Sequence, residues 1–313
     1  MPPKTPASTW KTLLAFAIVY LVWGSAYFAI RVGVRDFPPF LMAAIRFLIA
    51  GIAVYGWRIA RGDRSPTPRQ WLSTLLLGFL IFILNFGMVF WASQRVPSGV
   101  TGVMMALMTV FVALTEIFVL RTQRLSLRLA LALLAGIAGV AVLMSPSLHL
   151  GGAPIDRAGA LALISASLGM AIASAIMRRL PLPESKLMSS GAQMLTGGLM
   201  LALLSALMGE LHGFDPRAVS FKAWMALAYL VVAASIVTFT AYVWLIHHQS
   251  PTKAGTYAYV NPVVAVLIGY FLGGETLERR TIAGSLLILL SVVAITTMRM
   301  NQPTAELLEE EPI

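Results

Sequence analysis

The chain has 313 residues, 58% of them hydrophobic and only 12% charged, with a formal net charge of +10. It is about ten points more apolar and half as charged as an ordinary soluble domain, which excludes a water-soluble globule. A crossing needs roughly 20 apolar residues, so the apolar content furnishes about nine or ten crossings and the expected class is a polytopic helical membrane protein.

Apolar runs bounded by charge, Pro or Gly give ten expected spans. The first, 12–30, is long enough to cross and is read as mature structure rather than as a signal peptide. It carries Tyr20, Trp23, Gly24 and Tyr27 at helical spacing on one stripe. Trp and Tyr normally gather at membrane interfaces, yet Trp23 falls near the middle of its run, so this stripe is expected to wall a cavity, with Gly24 as a place where a backbone or ligand comes close. The second span, 38–57, holds Arg46 too deep for easy snorkelling. Arg46 therefore either faces a cavity, where it would attract a carboxylate, or sits in a hydrogen-bonding network.

The third span, 71–92, has Asn85 with Phe82 and Phe86 at helical spacing. An amide in lipid needs partners, which places Asn85 and Phe82 toward the cavity. The fourth, 98–120, contains the flexible Met104, Met105 and Met108 and ends near Glu116, the only acidic residue expected inside a span. Glu116 either reaches water or Arg121 and Arg124, or carries a coupling proton. Spans five (126–144) and ten (280–298) are small and apolar, with Ala132/Gly136 and Ala135/Gly139 at close-packing spacing, and are expected to be peripheral or dimer-forming. Between them come spans six (158–177) and seven (187–208). Span eight (221–246) bears Ser235, Thr238 and Tyr242, hydroxyls that usually satisfy their own backbone or bridge helices. Span nine (254–272) bears Tyr257, Tyr259, Asn261 and Pro262. Pro262 has no N–H, so the Ala258 carbonyl loses its helical partner and the helix can bend there. Tyr257 and Asn261, four apart, share a face.

The fold expected is all-α, because lipid offers no partner to open backbone groups and the runs lack barrel-strand alternation. Lys and Arg gather on alternate connections: Arg58, Arg61, Arg64 and Arg69; Arg121, Arg124 and Arg128; Arg178, Arg179 and Lys186; and Lys253. Loops rich in these residues stay cytoplasmic. Together with Lys4, Lys11 and Arg299, they place both termini inside. The basic charge thus lies between apolar runs rather than on one folded face, and no nucleic-acid partner is expected. The chain has no Cys and its His residues, at 149, 212, 247 and 248, fall in connections, so no metal site, cofactor or catalytic residue is expected.

The sequence also repeats itself weakly. Residues 91–144 lie against 245–298 with a constant shift of 154, and 46–51 lie against 193–198. The domains expected are a tail over 1–11, a five-helix repeat over 12–145, a second over 158–298 and an acidic tail over 299–313. Five crossings per repeat is odd, so the second copy enters the membrane inverted, a construction many secondary transporters use.

Val22-Trp-Gly-Ser25, Ala43-Ala-Ile-Arg-Phe47, Asn261-Pro262, Gly274-Glu-Thr-Leu277 and Ile282-Ala-Gly284 together resemble the EamA type of the drug/metabolite transporter superfamily, over roughly 12–298. The resemblance implies ten helices in two inverted five-helix repeats around a central cavity, in a bacterial inner membrane. It also implies export or facilitated passage of amino acids, metabolites or drug-like compounds by alternating access. One departure is that the family often has Pro in the middle of span four too, and the position matching Pro262 is Met108. The expected partners are a small-molecule substrate and the bilayer, with the protein a monomer or homodimer. Substrate contacts are expected from Tyr20, Trp23, Tyr27, Arg46, Phe82, Asn85, Tyr242, Tyr257 and Asn261, and bending at Gly24 and Pro262. A non-transporting receptor or scaffold and an intramembrane enzyme are the rival classes.

Overall fold

The computed structural model describes residues 9–121, 125–144, 155–177, 179–249 and 251–300. Arg124, Arg178, His149, the terminal residues 1–8 and the acidic tail from 301 onward lie outside the described residues. Among the described residues every regular element is helical. The helices are α1 (Thr9–Gly33), α2 (Pro39–Ala60), α3 (Pro68–Ala92), α4 (Ser98–Phe118), α5 (Leu127–Met144), α6 (Arg157–Met177), α7 (Lys186–Leu207), α8 (Phe221–His248), α9 (Tyr257–Phe271) and α10 (Arg279–Met300). Nine of these are long and apolar enough to cross a membrane. The shorter α9 is preceded by a helical turn, Pro251–Ala254, which extends the run to a crossing length at about 1.5 Å per residue.

Helix starts follow local chemistry. Pro39 and Pro68 occupy first-turn positions whose N–H would be unpaired anyway, and Thr67 and Gln70 form a capping box. Outward faces are large and apolar: Leu131, Leu134, Ile137, Leu286 and Leu290 are exposed, as a lipid-facing surface requires.

Packing follows a near two-fold pattern between the first five helices and the last five. Helices at corresponding positions meet: α2 packs on α7, α4 on α9 and α5 on α10. Crossed pairs are reciprocated, α1 on α8 and α9 matching α6 on α3 and α4. In α5, Gly136 lies against Ser291 and Gly139 against Gly284 and Ile288. The small-residue stripe expected to be peripheral or dimer-forming is thus filled by α10 of the same chain.

Two helices depart from regular α geometry at corresponding places. Phe79–Gly87 of α3 and Leu230–Val237 of α8 are wound as π-helix. The wider turn takes carbonyls out of the regular ladder and is frequent at functional sites. A third break interrupts α4 at Ala106, where Ala106 N donates to Val103 O and Thr109 N to Ala106 O, a tight three-residue turn. Span four therefore breaks without proline, two residues before Met108, close to the position matching Pro262.

Candidate functional site

The π-helical stretch of α8 organises the centre of the molecule. Trp23 Nε1 of α1 donates to Ala234 O at 3.1 Å, and Arg46 Nε of α2 donates to Ser235 Oγ at 2.9 Å. Two neighbouring residues of one wide turn therefore hold an aromatic ring and a cation from two other helices. At the end of the turn Thr238 Oγ1 donates to Ala233 O at 2.8 Å, so Thr238 satisfies its own helix while Ser235 bridges to another. The other π stretch repeats the link in mirror: Asn85 Nδ2 of α3 donates to Ala166 O of α6 at 2.9 Å.

Around Trp23 three rings close a triangle. Its centroid lies 5.3 Å from Tyr242 and 5.2 Å from Tyr257, and those two lie 5.5 Å apart. The tilted and edge-on angles are those favoured by aromatic quadrupoles. Tyr20 sits one turn away, its hydroxyl bonded to Thr256 Oγ1 at the start of α9 and its ring beside Phe16. Gly24 is where α1 and α9 cross: a methyl group built there would stand 2.5 Å from Val264 Cβ and 3.1 Å from Asn261 O. Asn261 is buried, and its Oδ1 has no hydrogen-bond partner; Pro262, next to it, is buried within α9.

The second cluster surrounds Arg46, which is 4% exposed. Its guanidinium carbon lies 4.7, 5.5 and 5.9 Å from the ring centres of Phe47, Phe86 and Phe90. Three ring faces partly offset the desolvation of a buried cation, and its Nη1 is buried without a partner. Phe82 buttresses the cage from behind, edge-on to Phe47 at 4.7 Å and against Gly197 of α7. Tyr27 of α1, half-buried, packs its ring against Gly102 of α4.

Of the expected site residues, Tyr20, Trp23, Gly24, Tyr242, Tyr257, Asn261 and Pro262 meet where α1, α8 and α9 come together. Arg46 stands with Phe82 in the neighbouring cage, and Tyr27 packs on Gly102 of α4. Asn85 spends its amide donor on α6. Glu116 is half-buried near the end of α4, apart from both clusters, and has an interaction partner of its own. Residue-by-residue reading did not single out Ala234, Phe47, Phe90 or Thr256. Phe47 carries a detectable signal as the neighbour of Arg46, and Phe90 carries a weaker one, four residues past Phe86. The Ala234 carbonyl carries none. Among the described residues no three His, Cys, Asp or Glu side chains gather as metal ligands.

Two separate stretches, 10–145 and 157–297, match the profile of the EamA-like transporter family. The chain belongs to the EamA-like transporter family. The two matched stretches hold the two five-helix halves, in agreement with the reciprocated packing. The inner membrane transporter YedA of Escherichia coli is 37% identical over 284 residues, spanning 90% of this chain and 89% of YedA. Protein PecM of Dickeya dadantii is 28% identical, spanning 88% of each chain, and the transporter YoaV of Bacillus subtilis is 23% identical over 89% of this chain and 94% of its own. A solved crystal structure superposes with a TM-score of 0.61 at 22% identity, covering 95% of this chain and all of the other, and shares the fold. The protein is accordingly a multi-pass membrane transporter.

Proposed function

We propose that this transporter moves small amphipathic metabolites, amino acids and drug-like compounds among them, outward or down their gradient by alternating access. The substrate would sit between the Trp23–Tyr242–Tyr257 triangle and Arg46. The observation that carries this reading is the buried guanidinium of Arg46 with a free Nη1, one π-helical turn from an aromatic triangle. An isolated buried cation is costly unless paired. A carboxylate or other acceptor on a transiting solute would supply the missing partner, the three rings would take its apolar body, and Asn261 Oδ1 would accept from an ammonium or hydroxyl. Bare ions fit poorly, because stripping their water needs dense oxygen ligands.

Inverted halves with a site between them are the arrangement through which alternating access works in other carriers. The distribution of Lys and Arg supports both ends in the cytoplasm and residence in the bacterial inner membrane. The reading predicts that proteoliposomes loaded with one candidate metabolite will show counterflow of the labelled compound, and that Arg46→Gln will abolish it. Ligand binding without counterflow across an amino-acid and metabolite panel would instead identify a receptor. Proton coupling is decided in the same vesicles, by comparing flux with and without a pH gradient in the unaltered protein and in Glu116→Gln.

A further inference from the structure

One side chain closes the contact between α4 and α9, and the internal repeat has no copy of it. Glu275, just past the end of α9, accepts from Ser98 N at 2.6 Å, from Ser98 Oγ at 2.7 Å and from Gly99 N at 2.9 Å. The carboxylate of the second half thus caps the first turn of a helix in the first half, where unpaired N–H groups and the helix dipole favour negative charge. Arg31 of α1 completes the cluster. Its Nε lies 3.6 Å from Glu275 Oε1 and its Nη1 donates to Val96 O in the connection between α3 and α4. The carboxylate side chain is 11% exposed, which strengthens these charge-assisted bonds relative to a solvated pair.

Small residues make room for it. A methyl group on Gly269 would stand 2.4 Å from Glu275 Oε2; one on Gly99 would stand 3.1 Å from Val266 Cα, and one on Gly102 2.4 Å from Ala265 Cβ. Tight packing of α4 on α9 lies in the segment Ser98–Met105, at this end.

The shift of 154 residues between the halves gives the matching positions at the opposite membrane face. Pro251 matches Pro97: the one opens the helical turn before α9, the other precedes α4. Glu275, however, matches Arg121; Gly99 and Gly102 match Lys253 and Thr256; and Ala265, Val266 and Gly269 match Phe111, Val112 and Thr115. The opposite face thus has an arginine in place of the capping carboxylate, and bulk in place of the close-packed glycines. Glu116 and Lys253, which both have partners, stand near that end.

We infer that Glu275 is a one-sided latch: it holds the protein closed at the face bearing the α3–α4 connection, makes that the resting state, and must release Ser98 and Gly99 before the substrate path opens there. The inference rests on the alternating-access reading. Two further carboxylates tie the halves at this face, Glu210 on the N–H groups of Phe40 and Leu41 and Asp36 on Ser220 N. They join the α7–α8 connection to α2 and to the α1–α2 connection, so they can persist while α4 and α9 part.

The chain has no Cys, which makes single-thiol labelling with a membrane-impermeant maleimide in oriented vesicles a clean test. Val266→Cys, which stands against Gly99, reports on the latched contact. Cysteines placed in turn at 258, 259 and 260 report on the opposite end of the path. In the full-length protein the 258–260 thiols should label from the α8–α9 face and Val266→Cys should be protected. Glu275→Gln should raise labelling of Val266→Cys from the α3–α4 face about tenfold or more, given the usual strength of hydrogen bonds to a charged acceptor. Gly269→Ala, which displaces the carboxylate while keeping its charge, should act in the same direction and serves if Glu275→Gln folds poorly. Unchanged protection at 266 in both variants, with the 258–260 thiols still labelled, overturns the latch and leaves the carrier reading standing. Protection of all three 258–260 thiols from either face overturns the hollow itself, and the latch with it.

Discussion

Arg46 Nε donates to Ser235 Oγ at 2.9 Å, and the residue before Ser235 accepts from Trp23. A single π-helical turn thus fixes, side by side, a deeply buried cation and the central aromatic ring. Ser235→Ala removes the acceptor of a charged, fully buried donor. The expected loss is about 1.5–3 kcal/mol of stability, read as a lowered unfolding temperature in detergent, and Ser235→Thr should restore most of it. Equal stability of the alanine variant would show that the bond does not hold the cage.

Arg46 itself separates charge from shape. Arg46→Lys keeps the cation but loses the planar fork and its stacking over three rings. Counterflow should fall by about tenfold or more, since hydrogen bonds to charged groups carry about 1.5–3 kcal/mol and tenfold is about 1.4. Expression should stay near that of the parent. Full transport by both Arg46→Lys and Arg46→Gln would remove the guanidinium from the substrate path.

Trp23→Phe keeps ring packing and removes only the bond to Ala234 O, at a cost of about 0.5–1.5 kcal/mol. Trp23→Ala also empties the triangle with Tyr242 and Tyr257, and should cost about 3–5 kcal/mol. Thermal unfolding of the two variants distinguishes a ring that merely packs from one tied to the π turn.

Gly24→Ala tests the crossing of α1 over α9. The added methyl would stand 2.5 Å from Val264 Cβ, so the helices must separate, at about 1–3 kcal/mol for overpacking. Val264→Gly, which removes the Cβ that the added methyl would meet, should rescue part of the loss in the double variant, measured by stability and by counterflow. A single variant as stable as the parent would mean that the crossing yields easily.

Asp36 carries a pH dependence outside the membrane. Hydrogen bonds from Ser220 hold its carboxyl below the ordinary carboxylate range. A depressed folded value means that the contact contributes fully above the unfolded value, about 3.9, and fades as pH falls through the lower folded one. Protease nicking of the α7–α8 connection should therefore increase only in strong acid, and Asp36→Asn should show the acid-like rate already at neutral pH.

Much of this protein was legible in its sequence because lipid leaves so few options. The ten apolar runs became helices close to their expected bounds, since a chain in hydrocarbon must satisfy its backbone internally. Trp23, Tyr242, Tyr257 and Asn261 stood out because polar or aromatic groups deep in a span need a local reason, and they do converge. Phe82 and Asn85 were flagged by the same logic, but one packs on Gly197 and the other bridges to Ala166. Period alone says which residues share a face, not which helix that face meets. The break in α4 at Ala106 had no proline to announce it.

The sequence by itself determined the number of helices, their membrane setting and the doubling of a five-helix unit, because hydrophobic length and internal repetition are written along the chain. Only the tertiary structure decided that Trp23 and Arg46 share one turn of α8, and that Glu275 reaches 177 residues back to Ser98. Those meetings depend on where π turns shift a helix's register and on how closely small residues let helices approach, and neither quantity is a property of any single segment.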